Sequence, residues 1–132
     1  MGNAVITRLL KAGLAPRSYV LLTVVGRRTG KPHTTPVRVL EYEGARWLVA
    51  PYGAVSWVRN ARAAGEVVLT RGRTRQQLSV TESDPRDSAG VLREYVRREP
   101  VTRPYFDATV ADPVDRFAEE ADRHPVFRLV ED

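Results

Sequence analysis

The chain has 132 residues, of which 42% are hydrophobic and 28% are charged, so it is long enough to fold as one globular domain around one core. It contains no cysteine and only two histidines, His33 and His124, which excludes a disulfide framework, thiol chemistry and zinc-finger-type metal sites. The net charge of +5 is unevenly distributed: residues 1–75 carry 13 basic and three acidic side chains, whereas residues 76–132 carry eight and 13. We therefore expect a single domain over residues 1–132 without a metal ion.

Apolar residues at helical spacing predict a short amphipathic helix near the N-terminus. The apolar positions are Val5, Ile6, Leu9, Leu10 and Leu14, with Arg8 and Lys11 between them. The segment is too short to span a bilayer and lacks the long apolar run of a signal peptide. Two interpretations stay open, a helix that caps the core and a helix that lies on a membrane surface. The sequence therefore predicts a cytoplasmic protein, with membrane association as the alternative.

Three strands are predicted in the first part of the chain. YVLLTVV, residues 19–25, is an apolar run rich in β-branched residues. PVRVLEYE, residues 36–43, has the alternation of a second strand. After the turn signal Glu43-Gly44, ARWLVAP, residues 45–51, reads as a third. The short connections predict an antiparallel meander.

SWVRNARAAG, residues 56–65, changes from strand spacing to helix spacing. Trp57, Ala61 and Ala64 would share one face of this helix. Gly65 supplies the stop that is expected of a C-terminal cap. The sequence therefore predicts one helix between the third strand and the fourth.

Two more strands and a longer helix are predicted next, with the strands over residues 66–72 and 73–82. Ser83 or Asp84 would cap the helix, and Pro85 would be its first residue. The apolar side of this helix would carry Val91, Leu92, Tyr95 and Val96.

The end of the chain is predicted as a loop over residues 99–112, a short helix capped by Asp112 and opened by Pro113, and a closing strand over residues 125–131. Six strands with mostly short connections predict a mainly β (α+β) domain, a small antiparallel barrel with added helices. A closed barrel also removes the exposed edges that an open sheet of this size would leave.

GRRTGKPHTTP, residues 26–36, combines a predicted hairpin turn with permanent positive charge. Gly26 and Gly30 can adopt positive φ, which would turn backbone N–H groups toward a ligand. The side chains suited to a phosphate or a series of carboxylates are Arg27, Arg28, Thr29, Lys31, Thr34 and Thr35. The order GxxxxGK[ST] is absent, so the segment is not a P-loop. A basic hairpin tip that binds nothing is the alternative.

APYGAVSWVRNARAAG, residues 50–65, is the second stretch with polar and aromatic residues at special positions. Gly53 lies at a strand-to-helix junction, where free N–H groups suit an anion or a carbonyl-bearing ring. Trp57 is either a core residue or a ligand contact. Asn is a poor helix former, so we expect Asn60 to bond either a backbone group of a neighbouring loop or a ligand.

Together the two stretches resemble the deazaflavin-dependent nitroreductase family, whose members adopt a split β-barrel related to FMN-binding barrels. The family pattern is a glycine, basic residues, Ser or Thr, a second glycine, Thr-Pro at the start of a strand, a small-residue loop, and a helix containing W-x-x-N. The matching residues here are Gly26, Arg27, Arg28, Thr29, Gly30, Thr35, Pro36, Gly53, Trp57 and Asn60. The resemblance covers residues 17–82 closely and the rest loosely.

The resemblance implies coenzyme F-420, a deazaflavin with a phosphate and a polyglutamate tail, with FMN as the alternative cofactor. Such an anionic cofactor would account for the basic first half of the chain. The hairpin loop would hold the phosphate and tail, and backbone N–H groups of two strands would bond the ring carbonyls. The full set of implied cofactor-binding residues is Arg27, Arg28, Thr29, Gly30, Lys31, His33, Thr34, Thr35, Pro36, Ala50, Pro51, Tyr52, Gly53, Trp57 and Asn60.

The implied reaction is hydride transfer from the reduced deazaflavin to a quinone, a nitro compound or another activated acceptor. Tyr52, Tyr105 or solvent would supply a proton. A non-catalytic protein that holds F-420 or another flavin on the same barrel is the alternative. Larger family members have a longer loop with a lysine before the tryptophan helix, and Tyr52 falls near that position here.

The expected partner is a small-molecule acceptor. A nucleic-acid binder is disfavoured, because aromatic residues do not interleave with the basic residues and no RNA-recognition sequence is present. The predicted assembly is a monomer or a homodimer.

Overall fold

A computed structural model describes residues 19–131 of the chain. The predicted N-terminal helix over residues 5–14 lies outside the described residues. In chain order the strands and helices are β1 (Tyr19–Val25), β2 (Pro32–Tyr42), β3 (Ala45–Val49), α1 (Ser56–Ala64), β4 (Glu66–Arg71), β5 (Thr74–Glu82), α2 (Pro85–Arg98), a first 3₁₀ helix (Pro100–Tyr105), α3 (Asp115–Ala118), a second 3₁₀ helix (Ala121–Arg123) and β6 (Val126–Glu131).

Six strands close into a barrel in the order β1-β2-β3-β6-β5-β4, and β4 pairs back with β1. Every neighbouring pair is antiparallel. β1 pairs with β2 along its whole length, from Tyr19 opposite Arg38 to Val25 opposite Pro32. The predicted mainly β fold, a six-stranded antiparallel split barrel with added helices, is confirmed.

The helix α1 begins and ends as the sequence predicts. Val55 precedes it with extended backbone, and Gly65 ends it with a φ of 75° while its N–H donates to the Ala61 carbonyl at 2.8 Å. Of the three residues predicted to share one face, Ala61 is buried and Ala64 is exposed, and the other buried residues of the helix are Val58 and Asn60. The helix therefore turns a polar side chain, Asn60, toward the barrel.

The strand β2 is longer than predicted, since it begins at Pro32 rather than at Pro36. The turn before it is correspondingly shorter, because residues 32–35 pair with β1. Both prolines are tolerated, since Pro32 is the first residue of the strand and β3 does not pair with Pro36. His33, Thr34 and Thr35 thus lie on a strand and not in a loop.

The segment between α2 and β6 is not a plain loop. Residues 99–112 were predicted as a loop, but they contain the first 3₁₀ helix. Asp84 caps α2 by accepting from the Asp87 N–H at 2.8 Å, so the cap predicted there is confirmed. The cap predicted at Asp112 was wrong, because α3 begins at Asp115. The Asp112 carboxylate instead accepts from the Thr109 N–H at 2.8 Å and closes a local turn.

The hydrophobic core has two parts. One part fills the barrel and includes Leu22, Leu48, Leu78 and Phe127, with α1 packed against it through Val58 and Ala61. The other lies outside the barrel wall, where α2 and the following segment cover it with Leu92, Val96, Phe106 and Phe117. Burial of each large apolar side chain contributes about 1.5–3 kcal/mol, so both parts stabilise the fold.

Candidate functional site

A cavity of about 480 Å³ opens between the first half of β2, the turn after β3 and the start of α1. Its lining residues are Val24, His33, Thr34, Thr35, Pro36, Tyr52, Val55, Ser56, Trp57 and Asn60. No carboxylate is among these residues. The cavity therefore combines an apolar and aromatic wall with neutral polar groups, a composition typical of sites for small organic ligands.

The β2 side of the cavity is a free strand edge. β3 pairs with β2 only from Val39 to Tyr42, so residues 32–38 have β1 on one side and no described strand on the other. Backbone groups that point away from β1 have no described strand to bond along this edge, a situation that suits a ligand. The Thr34 hydroxyl is already shared with Thr23, at 2.8 Å between the two oxygens.

The basic loop, residues 26–31, is a closed turn beside the cavity. The Gly26 N–H donates to the Lys31 carbonyl at 2.8 Å, and the Gly30 N–H donates to the Gly26 carbonyl at 2.9 Å. Thr29 accepts from the Lys31 N–H through its hydroxyl at 3.2 Å. The N–H groups of both glycines are therefore used within the turn and are not available to a ligand.

The reason for glycine at position 26 also differs from the prediction. Gly30 has a φ of 74°, as a left-handed turn residue requires, whereas Gly26 does not have positive φ. A Cβ at Gly26 would lie 2.7 Å from His33 Nε2 and 3.1 Å from the Lys31 carbonyl oxygen. Glycine therefore lets the His33 side chain pack against the loop at the edge of the cavity.

Asn60 joins α1 to the basic loop. Its Oδ1 accepts from the Arg27 backbone N–H at 3.1 Å and from Arg27 Nη1 at 2.8 Å, and the residue is 3% exposed. The predicted partner in a neighbouring loop is thus present. Because no buried side-chain nitrogen or oxygen among the described residues lacks a partner, the unbonded Nδ2 of Asn60 is accessible, and the residue lines the cavity. One amide both stabilises the loop and offers a donor to a ligand.

The cations of the basic loop divide into two kinds. Arg27 is tied to Asn60, whereas Arg28 and Lys31 are exposed and make no described ion pair. The absence of carboxylates from the lining leaves the field of these charges uncompensated at the cavity. An anion at the loop end of the cavity would therefore be attracted.

The α1 N-terminus faces the cavity with unsatisfied donors. Val55 provides no side-chain cap, and the helix has no acidic residue in its first turn. The Val55 N–H donates to the Gly53 carbonyl at 2.8 Å, and the Gly53 N–H donates to the Ala50 carbonyl at 3.3 Å, so the preceding turn uses both groups. The first helical N–H groups, those of Ser56 and Trp57, have no carbonyl one turn earlier to bond and stay available.

The turn after β3 contributes less to the lining than predicted. Ala50 and Pro51 are buried behind the cavity and do not line it, and the Ala50 N–H donates to the Pro125 carbonyl at 2.8 Å. Gly53 is not a lining residue either, and its φ of 99° makes the bend that brings Tyr52 to the cavity. The predicted backbone donors at Ala50 and Gly53 are therefore committed to the fold.

Trp57 has both of the roles considered for it. Its ring packs on Phe127 of the barrel core, with 5.8 Å between the ring centroids, and it also forms part of the cavity wall. The second tryptophan, Trp47, lies away from this cavity, where its Nε1 donates to the Tyr42 carbonyl at 3.1 Å. Only Trp57 is therefore placed to report on a ligand in the cavity.

Tyr52 and Tyr105, the candidate proton donors, are in contact beside the cavity. The rings of Tyr52 and Tyr105 make an edge-to-face contact, with 4.6 Å between centroids and 71° between planes. They are 59% and 54% exposed. Sequence analysis named both residues but not their contact, which joins positions 53 residues apart. Both hydroxyls belong to an aromatic pair whose Tyr52 half borders the cavity.

A buried polar cluster behind the turn was missed by sequence analysis. His124 Nδ1 lies 2.8 Å from the Pro51 carbonyl oxygen and its Nε2 lies 2.7 Å from Glu120 Oε1. Burial would raise the pKa of Glu120, but N–H donors from Ala108, His124 and Asp107 outweigh burial and hold that pKa below its usual value. The i, i+4 spacing of Glu120 and His124 is the one signal in the sequence that could have suggested the pair.

Seven of the predicted cofactor-binding residues are brought to one cavity: His33, Thr34, Thr35, Pro36, Tyr52, Trp57 and Asn60. Those beside it in the basic loop are Arg27, Arg28, Thr29, Gly30 and Lys31, and those behind it are Ala50, Pro51 and Gly53. Val24, Val55 and Ser56 also line the cavity and were not predicted. The strand alternation of β1 and the first position of α1 were the available signals for Val24 and Ser56.

The sequence over residues 4–111 matches the F420H(2)-dependent quinone reductase family. The match extends over most of the chain, so this protein belongs to that family. It is therefore an oxidoreductase of the class that depends on coenzyme F-420, and the predicted class, activity type and cofactor are confirmed, with FMN only an alternative. Among curated proteins, none matches the sequence.

Solved structures with the same fold include three informative neighbours. One is described as a domain-swapped dimer, with 22% identity, a TM-score of 0.64, and coverage of 96% of this chain and 94% of its own. Another is the F420-H2 dependent reductase FDR-A, with 21% identity, a TM-score of 0.59, and coverage of 86% and 94%. A putative pyridoxamine 5'-phosphate oxidase from Listeria innocua has 12% identity, a TM-score of 0.58, and coverage of 96% and 92%. These likenesses support the split-barrel fold.

The described part of the chain contains neither a group of metal ligands nor a membrane-spanning helix. Across residues 19–131, no three or more His, Cys, Asp or Glu side chains are grouped to hold a metal ion. No helix within the same range is long and apolar enough to cross a membrane.

Proposed function

We propose that this protein holds coenzyme F-420 in the cavity between β2 and α1 and reduces a quinone or a similarly activated acceptor there. The observation that carries the proposal is the cavity itself, which adjoins a free strand edge, an aromatic wall and the basic loop. The residues fit the cofactor chemically, because a flat ring with carbonyl groups needs an apolar slot with backbone donors and an anionic tail needs cations. When bound, the reduced cofactor supplies a hydride to the acceptor.

The ring would lie between β2 and α1. Trp57 supplies an aromatic surface on the helix side, and residues 32–38 of β2 supply an open edge of N–H and C=O groups on the other. Asn60 Nδ2 and the Ser56 N–H add donors from α1. These groups are fixed by the fold before binding, so they orient a carbonyl-bearing ring with little loss of conformational freedom.

The phosphate and tail would extend along the basic loop. Arg28 and Lys31 are the free cations, while Arg27 holds the loop to Asn60 and presents only part of its guanidinium. The tail contact would be an exposed one, so charge and not tight geometry governs its strength. Neutralising one cation should weaken binding only modestly, and more at low salt.

The acceptor would enter past the tyrosine pair. Tyr52 and Tyr105 are exposed at the mouth, where an aromatic acceptor could contact their rings. Reduction of a quinone by a hydride also requires a proton, which a tyrosine hydroxyl or solvent can deliver. No buried acid is needed for this chemistry.

The test is anaerobic turnover of reduced F-420 with menadione as the acceptor. We expect menadione-dependent oxidation of the cofactor by the wild type and its loss in Ser56→Phe, which fills the cavity. Thr81→Phe, the same kind of change on the exposed surface of β5 and outside this cavity, is the control and should retain turnover. Binding without turnover would support the non-catalytic alternative, and equal turnover in both variants would contradict the cavity assignment.

A homodimer is the assembly we propose to test, with a monomer as the alternative. The support is that one structural neighbour is described as a domain-swapped dimer. Light scattering on the purified chain decides between a mass near 14.8 kDa and twice that value. Membrane contact through the N-terminal segment stays a prediction, since that segment lies outside the described residues.

A further inference from the structure

We infer that His124 is a positioning residue, held as an imidazolium by Glu120, and that it fixes the turn that carries Tyr52 into the cavity. The inference rests on the proposed function only where it concerns cofactor affinity. It starts from the buried cluster behind the turn, in which His124 and Glu120 are each 2% exposed. His124 itself does not line the cavity.

The charge state of His124 follows from its two partners. Pro51 offers a carbonyl oxygen, which can only accept, so Nδ1 must carry a proton to make the 2.8 Å contact. Glu120 accepts N–H bonds from Asp107, at 3.1 Å to each oxygen, and from Ala108 at 2.8 Å. These N–H bonds stabilise the ionised carboxylate, and toward a carboxylate Nε2 must also donate. Both ring nitrogens therefore carry protons.

The neighbours of His124 and Glu120 keep this ion pair away from solvent and close to one further charge. Phe106 stacks on the His124 ring, with 3.9 Å between centroids and 22° between planes. Arg123 is the other charged group near Glu120, with Nη2 3.9 Å from Oε1, and it also bonds Asp107 at 2.8 Å. A buried charge without its partner is strongly unfavourable, so truncating either side chain would destabilise the cluster.

The cluster connects two parts of the chain at the cavity wall. Residues 100–124 contact the turn after β3 through the His124 bond to Pro51, through the Tyr105 ring on Tyr52, and through the Arg123 carbonyl beside Gly53. The bond to Pro51 is the one polar side-chain contact among these three. His124 therefore anchors the turn that presents Tyr52.

The direct test is NMR of the His124 imidazole nitrogens. The chain has only two histidines, so a His33→Gln variant leaves a single histidine to observe. We expect protons on both ring nitrogens at pH 7. A spectrum with one bare nitrogen would overturn the imidazolium assignment.

The functional test compares three variants for melting temperature and F-420 affinity. His124→Leu removes both hydrogen bonds and should weaken F-420 binding about tenfold, as displacement of a positioning group typically does. Val96→Ala, buried in the core cluster around α2, is the stability control and should bind as the wild type does despite a lower melting temperature. If His124→Leu does not fold, His124→Gln replaces it.

Glu120→Gln, the third variant, separates geometry from charge. The side-chain amide that this substitution introduces could donate to a neutral His124, which would keep its Nδ1 proton on Pro51. We therefore expect affinity near that of the wild type with the imidazolium signal lost. Equal affinity in His124→Leu and the wild type would overturn the positioning role. So would a loss of affinity in Val96→Ala as large as that in His124→Leu.

A ligand-free readout keeps this inference separate from the proposed function. Hydrogen exchange of the Gly53 and Val55 amides, together with nuclear Overhauser contacts between the Tyr52 and Tyr105 rings, reports the position of the turn. We expect faster exchange and lost ring contacts in His124→Leu but not in Val96→Ala. If the wild type does not bind F-420, the proposed function fails, and these measurements still decide the inference: an unchanged turn in His124→Leu would overturn it.

Discussion

The two sides of the cavity are built in different ways. The β2 and α1 side comes from residues 24–36 and 55–60, which are close in sequence and held by barrel pairing and one buried amide. The opposite side is a short turn whose position depends on residues 105–124, more than 50 positions later. The first side supplies chemistry that can be read from a contiguous motif, and the second supplies shape through contacts that only folding creates.

The largest effect is expected from Asn60→Ala, which removes the buried amide that holds the β2 and α1 side of the cavity. The Arg27 N–H would lose its acceptor in a part-buried position, at a cost of about 1–3 kcal/mol in unfolding free energy. Asn60→Asp is the matched control, because it keeps an acceptor for Arg27 but removes the Nδ2 donor. We expect Asn60→Asp to retain most of the stability and still weaken F-420 binding. Denaturant unfolding and cofactor titration on both variants check this, and equal stability of Asn60→Ala and wild type would contradict it.

Gly53→Ala should destabilise the turn after β3, which forms the other side of the cavity, without changing a lining residue. Gly53 has a φ of 99°, which L residues rarely adopt, while an added Cβ would meet only the Arg123 carbonyl oxygen at 3.7 Å. We expect a loss of about 1–2 kcal/mol from backbone strain alone. Gly90→Ala, at a glycine without positive φ in α2, is a comparison variant whose Cβ would approach the Tyr42 hydroxyl at 3.0 Å. Thermal unfolding measures both, and an unchanged Gly53→Ala would show that the turn relaxes freely.

Arg28→Ala and Lys31→Ala test how much the charge of the basic loop contributes to F-420 affinity. Each removes an exposed cation of the basic loop, so we expect F-420 affinity to fall about two- to fivefold at low salt and less at high salt. Arg73→Ala removes an exposed charge from the β4–β5 turn and should change affinity little. Titrations at two ionic strengths test this pair of statements. Equal effects of Arg73→Ala and Arg28→Ala would mean that only the overall charge matters.

The smallest expected effect is a pH dependence of stability that comes from Glu120, behind the turn after β3. The folded state holds the pKa of Glu120 below the ordinary value of 4.5, so this carboxylate stabilises the fold above about pH 4.5 and the contribution is lost as pH falls through the lowered value. Glu120→Gln should therefore reduce the fall of stability in acid. Glu119→Gln, at an exposed surface pair with Arg116, is the control and should leave the acid profile nearly unchanged. Unfolding curves from pH 7 to pH 3 measure the difference.

The sequence predicts most of the barrel because its signals are local. Alternation and turn residues indicate the six strands, and the Gly65 cap and the Asp84 cap are both confirmed. The predicted start of β2 is four residues late, because residues 32–35 pair with β1 and extend the strand into the predicted turn. Local propensity is thus outweighed by pairing that buries the neighbouring strand.

The candidate site was predictable only on its barrel side. The unusual position of Asn60 in a helix indicated a polar partner, and Arg27 is that partner. The reason for glycine at position 26 was not readable, since it depends on the ring of His33. The bond of His124 to Pro51 gave no sign in the sequence, because the two residues are 73 positions apart. Contacts of that kind arise from the tertiary fold and carry no local pattern.

The most direct test of the central claim is a titration with F-420 that follows the fluorescence of Trp57 alone. Trp47→Phe removes the other tryptophan, which lies outside the cavity against the Tyr42 carbonyl. We expect saturable quenching by F-420 in this variant, and weaker binding when Asn60→Asp is added. Saturable quenching by FMN but not by F-420 would contradict the assignment of the cofactor. No quenching by F-420, with binding detected by another method, would show that the cofactor lies outside the cavity between β2 and α1.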